Sequence, residues 1–165
     1  LADMMPAFAG LKFDWLDITG MIESTAEILE YPMVDRDPLP RWSFGRVTLL
    51  GDAAHPMYPR GSNGAGQAII DARCLAGEVR RLGATAEALA RYDATRGPAT
   101  ARVVLTNRSD PPDAILREVW QRSGGRPFDR IEDVISAAEL QAMSDRYKKV
   151  AGFDVETLRT RPSFV

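Results

Sequence analysis

The chemically suggestive residues crowd into one stretch, GDAAHPMYPRGSNGAGQAIIDA, residues 51–72. It holds a carboxylate at Asp52, the lone histidine His55, glycines at 61, 64 and 66, and a second carboxylate at Asp71. Glycine is costly to order, so a chain that concentrates it between two regular elements is making room for a close approach to the backbone. Three chemistries compete for such a stretch. A phosphate-binding P-loop needs G-x-x-x-x-G-K-[ST], and no lysine lies between Lys12 and Lys148. A dinucleotide fingerprint needs G-x-G-x-x-G, whereas residues 61–66 read G-x-x-G-x-G. Both are rejected. The third is a helix N-terminus turned toward an electron-rich ligand. Gly61, Gly64 and Gly66 free the backbone, and the first N–H groups of a helix have no partner within it. Those donors carry about half a positive charge, worth roughly 0.3–2 kcal/mol to a nearby anion.

Each candidate side chain has a plainer reading beside the chemical one. Asp52 can accept hydrogen bonds from ligand hydroxyls, with Ala53 and Ala54 presenting no bulk, or it can cap the next turn. On spacing alone the two stand level. His55 suits a general base, but no second histidine or partner cysteine offers a metal site, and no serine nucleophile sits in a recognisable elbow. A structural histidine holding the loop is the favoured reading. Asp71 is read as a buried or semi-buried tie between elements rather than a catalytic acid, and Cys74 as an inert helix residue.

The elements that must position these groups follow from periodicity. "AEILEYPM" (26–33) alternates at its centre and is read as a strand, with Pro32 suited to an edge. "DRDPLPRWSFG" (35–45) reads as a surface connection. "RVTLL" (46–50) is a short apolar run of the kind that forms a strand buried on both faces. Beyond the glycines, Ala65, Ala68, Ile69, Ala72, Leu75, Ala76, Val79 and Leu82 recur at steps of three and four. That spacing predicts a helix over 65–82 with a narrow alanine face inward, ended by Gly83. A second helix starts near Thr85 and meets Pro98, which kinks it or opens a new segment through Leu105. "SDPPD" (109–113) breaks it, and helices are expected over 113–122 and 136–150, the last capped by Ser136 with Glu139 three residues on.

Composition bounds the rest. The 165 residues carry a net charge of −2 with 45% hydrophobic and 27% charged residues, which fits a soluble globular protein and gives no electrostatic case for nucleic acid or a membrane surface. One cysteine excludes an internal disulfide and suits a cytoplasmic setting. The chain begins at Leu1 with no signal-peptide pattern and is expected to be a piece of something longer.

The run "RVTLLGDAAHPMYPRGSNGAGQAIIDARCLA" resembles the second FAD-binding motif of the class A flavoprotein aromatic hydroxylases, the p-hydroxybenzoate hydroxylase family. "PRGSNGAGQAI", "PMVDRDPLPRW" and "YKKVAGF" look closest to its phenazine-carboxylate monooxygenase subgroup. The resemblance implies FAD as cofactor, with Asp52 on the ribityl chain, Gly51 letting the strand end beside it, and Pro59 against the isoalloxazine. It also implies that the N–H groups of Ala65 and Gly66 face the flavin N1–C2=O edge, in the loop opened by Gly61 and Gly64. The implied cycle has NAD(P)H reduce FAD, O2 form a C4a-hydroperoxide, and oxygen pass to an aromatic ring. The motifs for the ADP half and for NAD(P)H are not in this sequence, so the implied partners are a small aromatic substrate and an N-terminal part of the same enzyme.

The expected fold class is therefore an α/β fragment, mostly helical in this chain. It would be the C-terminal part of an FAD-binding Rossmann-like fold with late strands of a substrate-side sheet. Residues 1–45 would end that sheet, 46–108 would supply the FAD-contacting strand, loop and helices, and 109–165 a helical region. Alone, the chain is expected to be inactive and to hold FAD weakly or not at all. The rival expectation is a non-catalytic helical interaction module that has lost its cofactor.

Overall fold

The computed structural model describes residues 2–164, leaving the Ser62 side chain aside. Leu1 and Val165, the outer ends of the expected 1–45 and 109–165 regions, lie outside the described residues. The chain forms two units, Leu1–Pro32 and Met33–Val165. The first holds α1 (Met5–Phe8) and α2 (Ile18–Glu23), and Asp17 caps α2 by accepting from the Gly20 N–H at 2.9 Å.

The second unit is helical apart from one small hairpin. Its strands β1 (Ser43–Phe44) and β2 (Val47–Thr48) pair antiparallel, Ser43 opposite Thr48 and Phe44 opposite Val47. Then come α3 (Asn63–Leu82), α4 (Ala86–Ser109), α5 (Ala114–Ser123), α6 (Ala137–Ala151) and α7 (Val155–Thr160). Thr85 caps α4 through the Ala88 N–H, and α4 runs on through Pro98, so that proline lies within one helix and opens no new segment. Ser136 and Glu139 form a reciprocal capping box at the start of α6. No helix of the described residues is long and apolar enough to cross a membrane.

Four expectations need correction. Residues 26–33 form no strand, and Ile28, Leu29, Tyr31 and Met33 are exposed. A strand is stable only against a partner, and none pairs with this segment among the described residues. The 46–50 run is not a doubly buried strand, since only Val47–Thr48 pairs and Val47 is 66% exposed. The expected face of α3 is only partly inward, with Ala68, Leu75, Val79 and Leu82 half-buried. Ala65, Ile69, Ala72 and Ala76 are exposed, while Asn63, Gln67, Ile70, Asp71 and Cys74 are buried. Polar side chains occupy the inner face because their partners arrive from distant parts of the chain. The 35–45 connection is also less peripheral than expected. Trp42 joins Ala54, Cys74 and Tyr92 in the hydrophobic core, with Leu39, Leu49, Leu75 and Phe164 packed around them.

Candidate functional site

The glycine-rich loop leaves the hairpin at Leu50, makes a 3-10 turn over Gly51–Ala53, and makes a second over Arg60–Ser62 that runs into α3. Gly51 has φ +59°, and a Cβ there would stand 3.2 Å from the Ala68 methyl. Gly61 has φ +70°, and its Cβ would meet Pro112 Cγ at 2.7 Å. Both positions need glycine twice over, for backbone hand and for space.

Behind the loop lies a buried polar chain. The two carboxylate oxygens of Asp71 are shared among three donors. His55 Nε2 lies 2.5 Å from Oδ2, the Gly51 N–H reaches the same oxygen at 3.3 Å, and Arg96 Nε donates to Oδ1 at 2.6 Å. Arg96 Nη2 then donates to Gln67 Oε1 at 2.6 Å, and Gln67 Nε2 to the Ala151 carbonyl at 2.9 Å. Asp71, Gln67, Arg96 and His55 are all at least nine-tenths buried. Burial pushes the Asp71 carboxyl up, but the hydrogen bonds from His55 and Arg96 and the Arg96 charge outweigh it, holding the carboxyl below its usual range. An ionised Asp71 accepts from His55 Nε2–H, and Nδ1 has no hydrogen-bond partner among the described residues. The histidine, its ring centroid 5.5 Å from that of Trp42 and tilted 42° to it, thus holds the loop, as its sequence context favoured.

A second network holds the loop's far end. Asn63 Nδ2 donates to the Tyr147 hydroxyl, which donates to Asn107 Oδ1 at 2.5 Å, and Asn107 Nδ2 reaches the Tyr58 carbonyl at 3.4 Å. Arg108 forks onto Asp35 and reaches Asp37 at 2.7 Å, pinning the segment that precedes the hairpin. Sequence reasoning singled out none of Asn63, Gln67, Arg96, Asn107 and Tyr147 as functional. Their local context is ordinary helix, and only the long-range pairing gives them meaning.

The outward side of the loop is different in character. Asp52, Ala53, Pro59, Gly61 and Ala65 are exposed, and Gly64 and Gly66 are half-buried. Asp52 Oδ1 lies 3.8 Å from the point a Cβ on Gly64 would occupy, so the carboxylate stands beside the α3 N-terminus. Gly51 alone of the expected cofactor residues is buried. With α3 starting at Asn63, helix geometry leaves the N–H groups of Asn63, Gly64 and Ala65 without an i−4 partner, and Gly66 sits one step further in. At Gly66 space is short, since a Cβ there would stand 3.0 Å from Phe153 Cζ. Cys74 is sealed in the core, and burial pushes its thiol up.

An accessible carboxylate, small residues and helix-start donors on one surface form a donor and acceptor set suited to a polyhydroxyl chain joined to an electron-rich ring. The chain belongs to the FAD-binding domain family, whose profile matches residues 15–107, and FAD is its cofactor. It is 58% identical over 151 residues to the phenazine 1,6-dicarboxylic acid hydroxylase PhzS of Lysobacter antibioticus, covering 91% of this chain and 34% of that protein. It is 42% identical over 129 residues to a 6-hydroxynicotinate 3-monooxygenase of Bordetella bronchiseptica, covering 76% of this chain and 30% of that one. A 3-amino-4-hydroxybenzoate 2-monooxygenase of Streptomyces cremeus is 32% identical over 148 residues, 88% of this chain and 36% of that one. The chain spans about a third of the length of these curated relatives.

Proposed function

We propose that this chain is the C-terminal part of a flavoprotein monooxygenase that hydroxylates a small aromatic carboxylic acid using NAD(P)H and O2. The observation that carries the reading is the two-sided loop 51–66. Its inner side is locked by buried hydrogen bonds, and its outer side presents Asp52 beside a glycine-opened helix start. The relatives' names supply the substrate class, because phenazine dicarboxylic acid, hydroxynicotinate and aminohydroxybenzoate are all aromatic rings bearing carboxyl groups.

FAD, when bound, supplies the redox chemistry that activates O2 for transfer to the ring. The residues of this chain hold and polarise it. Asp52 accepts hydrogen bonds from ribityl hydroxyls, and Gly51 lets the backbone turn beneath it. Pro59 stiffens the segment lying against the isoalloxazine. The α3 start, through Gly64, Ala65 and Gly66 and with Gly61 setting the entry turn, favours negative charge on the flavin's pyrimidine edge. His55 and Asp71 touch neither substrate nor cofactor. The remaining length seen in the relatives brings the ADP-binding, NAD(P)H and substrate contacts. Titrating FAD into the protein extended to that length, by quenching of flavin fluorescence, tests the reading. Submicromolar binding supports it, and no binding refutes it.

A further inference from the structure

Tyr147 lies on α6, far along the chain from the glycine loop, yet its ring and hydroxyl both bear on that loop. A Cβ on Gly61 would stand 3.0 Å from Tyr147 Cε1, so the loop's apex packs closely against the ring. The hydroxyl accepts from Asn63 Nδ2 and donates to Asn107 Oδ1, with the Arg60 carbonyl at 3.5 Å. Asn63 is 4% exposed and Asn107 is fully buried, so neither can replace a lost partner with bulk water. Burial also pushes the Tyr147 hydroxyl up, which keeps it neutral and able to donate.

Asn63 is the first residue of α3. Whatever fixes Asn63 therefore fixes where the helix-start N–H groups of Gly64 and Ala65 stand. We infer that Tyr147 is a positioning residue for the flavin, setting the α3 N-terminus through Asn63 and thereby tuning the reduced cofactor against the oxidised one. This rests on the proposal that the α3 start faces the flavin. Reduced flavin gains negative charge, so it is the form that loses most when those donors shift.

The test is the FAD-loaded protein at its relatives' full length, with Tyr147→Phe and, from the other side of the same bond, Asn63→Ala. Thr100→Val is the control. Thr100 is fully buried on α4 and its hydroxyl donates to the Arg96 and Gly97 carbonyls of that helix, so its loss costs stability without removing a bond to the loop. Each loop-side variant is expected to weaken reduced FAD about tenfold more than oxidised FAD, a fall of about 30 mV in the two-electron potential. Thr100→Val should lower the melting temperature and leave the potential unmoved. A flavin-loaded Tyr147→Phe protein with unchanged potential overturns the inference while leaving the FAD site intact. A parent protein that binds no FAD overturns the site and the inference together.

Discussion

Asp71 of α3 and Arg96 of α4 meet at 2.6 Å in the interior, the carboxylate fully buried and the arginine 6% exposed. The same carboxylate takes His55 and the Gly51 N–H on its other oxygen. One buried anion therefore joins two helices to the start of the glycine loop. Asp71→Asn leaves Arg96 as an uncompensated buried charge, and about 3–5 kcal/mol of stability should be lost. Urea unfolding measures this, and a loss below 1 kcal/mol would show that Arg96 finds another partner. Because the folded Asp71 carboxyl is depressed, its stabilisation is complete above the ordinary carboxylate range and disappears as pH falls through the folded value.

The α6 capping box has its own acid signature. Glu139 accepts from the Ser136 hydroxyl and backbone and from Arg122, which lowers its carboxyl to about 2 from an ordinary 4.5. The box stabilises α6 fully above that ordinary value and loses its effect as pH falls toward 2. An NMR titration should place the Glu139 midpoint near 2, and Ser136→Ala should move it back toward 4.5. A midpoint near 4.5 in the unsubstituted protein would mean the cap is not formed.

Gly61→Ala should be disproportionately damaging for a loop substitution. The left-handed backbone alone costs about 1–2 kcal/mol for any other residue. The new methyl would also stand 2.7 Å from Pro112 Cγ, in a place where the loop rests on its support. Thermal unfolding should show the loss, and Gly45→Ala is the comparison. Gly45 shares the positive φ but has nothing within 4 Å of its Cβ position. Equal melting temperatures for the two variants would mean that Pro112 yields freely.

The sequence exposed the elements better than their faces. The Ser136–Glu139 spacing marked α6 because a capping box is local, and its bonds join residues three apart. The span of α3 was legible from periodicity, but its inner face was not. Gln67 and Asp71 are buried because Arg96, 25 to 29 residues away, satisfies them. No local pattern announces that partner. The structural role of His55 was legible because no nucleophile or second ligand accompanied it. The 26–33 strand failed for the opposite reason: alternation shows that a segment could pair, not that a partner is present. The glycine positions and Asp52, on which the cofactor proposal rests, stood out in the sequence, whereas Tyr147 and Asn107 behind them did not.

The central claim is that the outer side of the loop holds FAD through Asp52, and the most direct measurement is FAD affinity of Asp52→Ala in the protein at its relatives' full length. Asp52 is exposed, and none of the buried bonds behind the loop depends on it. Its loss should leave the melting temperature of the apoprotein unchanged. Losing a charged hydrogen bond costs about 1.5–3 kcal/mol, so the FAD dissociation constant should rise about 10- to 150-fold. An affinity equal to that of the unsubstituted protein, in a folded variant, would contradict the account and leave Asp52 as a turn residue only.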